Sequence, residues 1–84
     1  MLIYYTPKFK EKLKSFPKEI REKFYKQVGL LSQNLRHPSL RAKKYYESSS
    51  LWQARVDGNI RFYFFIEKNT YSLINIRRHK QTVN

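Results

Sequence analysis

The stretch from residue 51 to residue 79 constrains the fold more than any other part of this chain, because apolar residues recur there with a period of two. Short turn sequences interrupt the alternation twice. The first, DGN at 57–59, is the strongest hairpin signal in the chain, and the second is KN at 68–69. The pattern therefore predicts three consecutive antiparallel strands joined by two tight turns.

Successive side chains of a strand point to opposite faces of a sheet, so the alternation assigns two faces. The face expected to pack on the core carries Trp52, Ala54, Val56, Ile60, Phe62, Phe64, Ile66, Ile74 and Ile76. The other face carries Gln53, Arg55, Arg61, Tyr63, Asn75, Arg77 and His79. No packing rule requires such a basic cluster on one surface, so this second face is the stronger candidate for function.

The first half of the chain predicts one strand and two helices. Residues 2–5 are short, apolar and β-prone, and Thr6-Pro7 is a good start for a helix, since threonine caps well and proline suits the first turn. A second helix is expected after Pro17. The helices' apolar stripes, at spacings of three and four, are Phe9, Leu13 and Phe16, then Ile20, Phe24, Val28, Leu31 and Leu35.

The elements together predict a β-α-α-β-β-β order and an α+β fold, in which a helix hairpin packs on one face of a small antiparallel-rich sheet. We expect a single domain over residues 1–84, because a chain of this length supplies one modest core. Pro38 is expected to end the second helix at His37, which we interpret as structural.

The charge balance points to a polyanionic partner. Eighteen Lys and Arg against 6 Asp and Glu give a net charge of +12, which suits nucleic acid, an acidic protein or an anionic membrane surface. A merely soluble basic surface is the alternative. No apolar run approaches the ~18 residues of a membrane span, and the absence of cysteine excludes disulfides, so a soluble cytoplasmic protein without membrane association is expected.

The sequence lacks the residues that several kinds of active site require. The only glycines are Gly29 and Gly58, which excludes a glycine-rich phosphate loop, and His37 and His79 are isolated, which disfavours a metal site. We expect neither metal nor other cofactor. What remains is a basic surface with one titratable histidine, His79, and this suits RNA phosphodiester cleavage by the neighbouring 2′-hydroxyl.

Each part of such a site has a candidate. Arg55, Arg61 and Arg77 suit phosphate, His79 suits proton transfer, and Lys43 and Lys44 suit assistance to the 2′-hydroxyl or phosphate. Each also has a plainer explanation. Arginine and histidine are also common at solvated surface positions, and Lys43 and Lys44 also suit a loop that only adds solubility. Tyr63 suits either base stacking or a half-buried place in the sheet, whereas Trp52 fits the core best.

These residues resemble the RelE/ParE toxin superfamily of toxin–antitoxin systems, and most closely its RelE- and YafQ-like members. The resemblance covers nearly the whole chain in element order. It is strongest in the second half, in the matching elements HPSL at 37–40, KK at 43–44, LW with ARV at 51–56, IRF with Phe64, and Ile76 with His79.

The resemblance implies a ribosome-dependent mRNA endonuclease. Arg61 matches an active-site arginine of the family, Arg55 stands where members carry lysine or histidine, and His79 matches a catalytic histidine of YafQ-like members. Lys43 and Lys44 lie close to a basic loop of the family, and Arg77, Arg78 and Tyr63 are expected to bind RNA. Many members carry an aromatic residue four positions after the histidine, where this chain has Val83.

The resemblance also implies partners: an acidic antitoxin encoded beside the toxin, mRNA on the ribosome, and operator DNA reached only through the antitoxin complex. Two other functions stay open. The same superfamily includes ParE-like gyrase poisons, and Val83 is compatible with a non-catalytic protein that only binds antitoxin or nucleic acid.

Overall fold

A computed structural model describes residues 1–46 and 50–79. The elements are β1 (Leu2–Tyr5), α1 (Pro7–Lys14), α2 (Lys18–Gln33), a 3₁₀ turn (Pro38–Leu40), β2 (Lys43–Lys44), β3 (Leu51–Arg55), β4 (Ile60–Glu67) and β5 (Thr70–Arg78). The predicted α+β order is confirmed. It gains one short strand, β2, in a segment that the sequence analysis assigned to a loop.

The five strands form one mixed sheet in the order β1-β5-β4-β3-β2. β1 runs parallel to β5, and the three other pairings are antiparallel. The two hairpins predicted from 57–59 and 68–69 therefore form the centre of the sheet. β2 lies at the edge of the sheet next to β3. The segment before β2, which includes Arg41, therefore lies beside the turn at 57–59 that joins β3 to β4.

Local capping explains where the first helix begins. Thr6 Oγ1 accepts a hydrogen bond from Phe9 N at 3.3 Å, and Pro7 occupies the first helical turn. The same hydroxyl donates to Leu73 O at 2.9 Å, so one side chain both caps α1 and ties it to β5. This double role fixes the direction in which the helices leave the sheet.

One face of the sheet and both helices enclose the core. Phe62 is fully buried and meets Phe24 of α2 edge-on, with ring centroids 5.4 Å apart. Trp52 and Ile66 are partly buried against the same cluster, as their positions predicted. The other buried members include Phe9, Leu13, Leu31, Ala54, Val56, Ile60, Phe64, Tyr71, Leu73 and Ile76.

The prediction that Ile74 faces the core is wrong. The β4–β5 register slips at this point: Tyr63 pairs with Asn75, but the next residue, Phe64, pairs with Leu73. A β-bulge at Ile74 takes up the extra residue. Leu73 is consequently buried, whereas Ile74 is half-buried and lines a cleft on the opposite side of the sheet, which we call the outer face.

Candidate functional site

A row of three arginines crosses the outer face at one end of the sheet. Arg55 of β3 pairs with Arg61 of β4, and Arg61 pairs with Arg77 of β5. Residues directly opposite one another in antiparallel strands share a face, and like charges in such positions destabilise a sheet. The row is therefore costly to the fold, which favours a role in binding an anion.

A cavity of about 290 Å³ opens beside this row, and we call it the basic pocket. Its lining consists of Arg41, Lys43, Gln53, Arg55, Arg61 and His79. No carboxylate from the described ranges lines it, so its cations have no acidic counterpart within the pocket. The structure thus brings together four of the residues singled out from the sequence: Lys43, Arg55, Arg61 and His79.

The 57–59 turn holds Arg61 in place. Arg61 Nη1 donates to the carbonyl oxygens of Asp57 and Gly58, both at 3.2 Å. The turn is itself braced, because Asp57 Oδ1 accepts from the backbone N–H groups of Asn59 at 2.8 Å and Ile60 at 3.0 Å. A guanidinium anchored through one nitrogen keeps its others for a ligand while losing little rotamer freedom on binding.

His79 reaches the same turn from the far side. Its backbone N–H donates to Asn59 O at 2.6 Å, immediately beyond the last pairing of β4 with β5. The residue is exposed, and its side chain lines the basic pocket. The turn therefore positions both Arg61 and His79, one through its side chain and the other through its main chain.

A buried glutamine of α2, Gln27, fixes the other wall of the pocket. Its Nε2 donates to Arg55 O at 2.9 Å and to Ser39 O at 3.1 Å, and its Oε1 accepts from Ser39 Oγ at 3.4 Å. Two residues after Ser39, Arg41 adopts a left-handed conformation with φ 45°. That conformation is uncommon outside glycine and here follows the 3₁₀ turn that Gln27 holds.

Sequence reasoning missed both Gln27 and Arg41. Gln27 follows Phe24 by three residues and precedes Leu31 by four, so helical spacing places it on the buried face of α2. A polar residue at such a position needs hydrogen-bond partners, and this signal was available. Arg41 carries no comparable signal, because its place in the pocket depends on the left-handed turn.

The charges in the pocket act on one another. Partial burial and repulsion from Arg61 and Arg41 lower the pKa of Arg55. An arginine stays protonated under physiological conditions despite such a shift. Burial is the larger cause, and the repulsion from Arg61 and Arg41 is a second one that a phosphate bound there would relieve.

Arg77 lies on the adjoining part of the outer face. Its Nε donates to Tyr63 Oη at 3.2 Å and its Nη2 to Tyr45 Oη at 3.4 Å, while its guanidinium carbon lies 5.1 Å from the centre of the Tyr63 ring. The hydrogen bond from Arg77 to Tyr63 is the first cause of the raised pKa of Arg77. Only 4% of Tyr63 is exposed, so its ring is a support under Arg77.

Two predicted RNA-binding residues lie elsewhere. Lys44 pairs with Trp52, whose side chain packs against the core, and it lines a separate cavity with Arg36 and Trp52. Arg78 pairs with Ile60 on the core side and places its guanidinium 5.5 Å from the Phe16 ring. Neither lines the basic pocket, and their contribution to RNA binding stays a prediction. Val83 lies outside the described residues.

Within residues 1–46 and 50–79 there is no group of three or more His, Cys, Asp or Glu side chains able to hold a metal ion. In the same ranges, no helix is long and apolar enough to cross a membrane.

The chain resembles known proteins in its structure. No protein-family model and no curated protein matched the chain by sequence. Eleven chains of solved structures match it, and three examples superpose over nearly its full length. The archaeal RelE–RelB complex from Pyrococcus horikoshii OT3 gives a TM-score of 0.80 at 14% identity, covering 96% of this chain and 97% of that one.

The two others are bacterial. The YoeB/ParE toxin from Agrobacterium tumefaciens gives a TM-score of 0.78 at 13% sequence identity. The match covers 95% of this chain and 100% of the toxin chain. The YoeB–YefM complex from Staphylococcus aureus gives a TM-score of 0.76 at 17% sequence identity. It covers 95% of this chain and 99% of the matched chain. At these identities the likeness concerns the fold, and the chain accordingly has the fold that these RelE and YoeB structures share.

Proposed function

We propose that this protein is the toxin of a type II toxin–antitoxin system and that it cleaves mRNA on the ribosome. The observation that carries the proposal is the basic pocket, where Arg41, Lys43, Arg55, Arg61 and His79 converge. Fold alone would not support an activity, since one fold hosts many functions. A pocket that holds several cations and a histidine is suited to a phosphodiester.

The reaction assigned to this pocket is attack of a ribose 2′-oxygen on the adjacent phosphorus. The P–O5′ bond breaks, and the products are a 2′,3′-cyclic phosphate and a free 5′-hydroxyl. Arg55 and Arg61 bind the phosphate oxygens and stabilise the charge of the phosphorane. The 2′-hydroxyl proton leaves to solvent, the charge of Lys43 assists the 2′-hydroxyl or the phosphate, and His79 donates a proton to the leaving 5′-oxygen.

Residues around the pocket complete this proposal. Arg41 adds a third guanidinium, and Arg77 contributes positive potential from the neighbouring strand. The sequence predicts that Lys44, Arg78 and Tyr63 contact RNA, but Lys44 and Arg78 lie outside the pocket and Tyr63 lies buried beneath Arg77. Any contact that they make would be with flanking nucleotides.

The proposed regulatory partner is an acidic antitoxin. The net charge of +12 calls for a polyanionic or acidic ligand, and structural relatives were solved as RelE–RelB and YoeB–YefM complexes. An acidic segment seated over the basic pocket would neutralise it directly, by occupying the place of the phosphate.

The test is induced expression in a bacterium with primer extension on a translated reporter mRNA. We expect new cleavage sites for the wild-type protein and a loss of about 10²- to 10³-fold in cleavage for Arg61→Ala, the size found when one transition-state contact is removed. His79→Ala should behave similarly. Lys26→Ala, which removes one exposed charge from α2, is the matched control and should cleave normally.

Circular dichroism and thermal unfolding of each variant separate lost chemistry from lost folding. A folded Arg61→Ala variant that cleaves as well as the wild type contradicts the assignment of the site. Growth arrest with intact mRNA points instead to a gyrase-directed toxin. The absence of both arrest and cleavage leaves a protein that only binds.

A further inference from the structure

A second, smaller cleft lies beside the basic pocket on the outer face, and we call it the tyrosine cleft. Its volume is about 170 Å³. Its lining consists of Tyr45, Leu51, Tyr63, Ile74, Asn75 and Arg77. Aromatic and aliphatic side chains therefore provide most of its walls and one guanidinium closes a side, whereas four of the six residues that line the basic pocket are Arg or Lys.

The walls of the cleft depend on two backbone features. Tyr45 N donates to Leu51 O at 2.7 Å and so continues the β2–β3 pairing one step beyond Lys44, which brings Tyr45 over the outer face. On the opposite side, the β-bulge turns Ile74 to the same face. Without the bulge, Ile74 would point into the core and the cleft would lose its aliphatic wall.

The aromatic rings are held before any ligand arrives. Tyr45 meets Tyr63 edge-on, with ring centroids 5.6 Å apart and planes at 85°, and Arg77 donates to the hydroxyl groups of both. Tyr63 is buried, whereas Tyr45 is half-buried. Tyr45 is thus the more accessible of the two rings, and its contacts with Tyr63, Arg77 and Tyr46, whose ring centroid lies 4.6 Å away, fix its orientation.

We propose that the tyrosine cleft is a nucleobase subsite for single-stranded RNA, in which a base stacks on Tyr45 and packs against Leu51 and Ile74. This inference rests on the proposed function and adds to it the place where a base next to the scissile phosphate is bound. Base stacking on an aromatic ring is the usual way in which proteins hold single-stranded RNA.

The position of the cleft identifies this occupant. Arg77, in the cleft wall, pairs directly with Arg61 of the basic pocket, and adjacent strands lie only about 5 Å apart. A ligand that fills both sites must be anionic at one end and flat and apolar at the other over that short distance. A nucleotide has this shape and charge.

The test measures binding of two short fluorescent oligoribonucleotides by polarisation. Both carry 2′-O-methyl groups, so that neither can be cleaved, and one has abasic residues in place of its bases. We expect the wild-type protein to prefer the base-containing oligonucleotide. Tyr45→Ala should lower affinity for that oligonucleotide by about five- to a hundredfold, the range for one stacked base, and leave affinity for the abasic one unchanged.

Two variants serve as controls. Tyr45→Phe keeps the ring and removes only the hydroxyl that Arg77 contacts, so it should retain the preference for bases. Tyr25→Ala removes a ring of α2 that is 54% exposed and does not line the cleft, and it should bind both oligonucleotides like the wild type.

Arg61→Ala distinguishes the two proposals, because loss of a phosphate contact should weaken binding of both oligonucleotides equally. Suppose that Arg61→Ala weakens binding of both oligonucleotides. If Tyr45→Ala then weakens binding of neither, or weakens binding of both to the same extent, the phosphate pocket stands and the nucleobase subsite is wrong. If the wild-type protein binds neither oligonucleotide, the subsite is overturned together with RNA recognition by the free toxin.

Discussion

The two faces of the central hairpins come from the same alternating sequence, yet different features determine them. On the core face, Phe62 and its neighbours pack ring against ring with the helices, so the fold needs only apolar side chains of suitable volume. On the outer face, Arg55, Arg61 and Arg77 stand opposite one another in adjacent strands. That row opposes folding, and the core face offsets its cost.

The contrast teaches where irregular backbone belongs in this molecule. Packing on the core face follows regular strand geometry except at Leu73, which the bulge turns inward. The outer face depends on three departures from regularity: the braced turn under Arg61, the left-handed residue Arg41 and the β-bulge at Ile74. Each departure aims one side chain at the site, as bulges and strained residues commonly do at functional positions.

The largest expected difference between the faces is in a pair of adjacent residues. Leu73→Ala removes a fully buried side chain and should lower the free energy of unfolding by about 2–5 kcal/mol, whereas Ile74→Ala on the other side of the bulge should cost about 1 kcal/mol or less. Urea unfolding of the two variants checks this. Equal losses would mean that the register does not slip at Ile74.

An intermediate effect is expected at Gln27, because it links the core layer to the pocket. Gln27→Leu leaves the carbonyl groups of Arg55 and Ser39 without their donor and should cost about 1–3 kcal/mol. It should also weaken binding of the abasic oligonucleotide, since Arg55 and Arg41 lose their support. Leu73→Ala is the comparison: at a temperature where both variants are folded, it should bind like the wild type.

The smallest expected effect is a loss of stability at alkaline pH that arises from Tyr71 on the core face. Burial raises the pKa of Tyr71 above the ordinary value of 10.0, so the folded protein holds this proton more tightly than the unfolded chain does. Stability from Tyr71 is complete below about pH 10 and is lost as the pH rises through the folded pKa. Unfolding of Tyr71→Phe should therefore depend less steeply on pH in that range. Identical slopes would contradict this.

The sequence was sufficient for the regular part of this structure. Period-two alternation assigned Phe62, Ile76 and Arg61 to their faces, and Thr6-Pro7 marked the start of α1, because both signals act over a few neighbouring residues. It was not sufficient for Ile74, whose face depends on how β5 aligns with β4. A bulge is a property of two strands, and neither strand's pattern reveals it alone.

The candidate site divides in the same way. Arg55 and Arg61 were predicted from one hairpin, and His79 from the end of the next strand, so local pattern found them. Lys43 and Lys44 are neighbours with the same chemistry, but only Lys43 lines the pocket, because the two-residue strand β2 points them to opposite faces. No compositional argument separates such a pair.

The parallel pairing of β1 with β5 has a consequence for the order of folding. Leu2 lies opposite Thr70, and the intervening chain contains both helices and the three other strands. A nascent chain therefore emerges with its first strand and its helices lacking the surface on which they pack. Closing so long a loop is slow relative to forming a hairpin. The sheet, and the pocket at its end, is complete only after β5 has been synthesised.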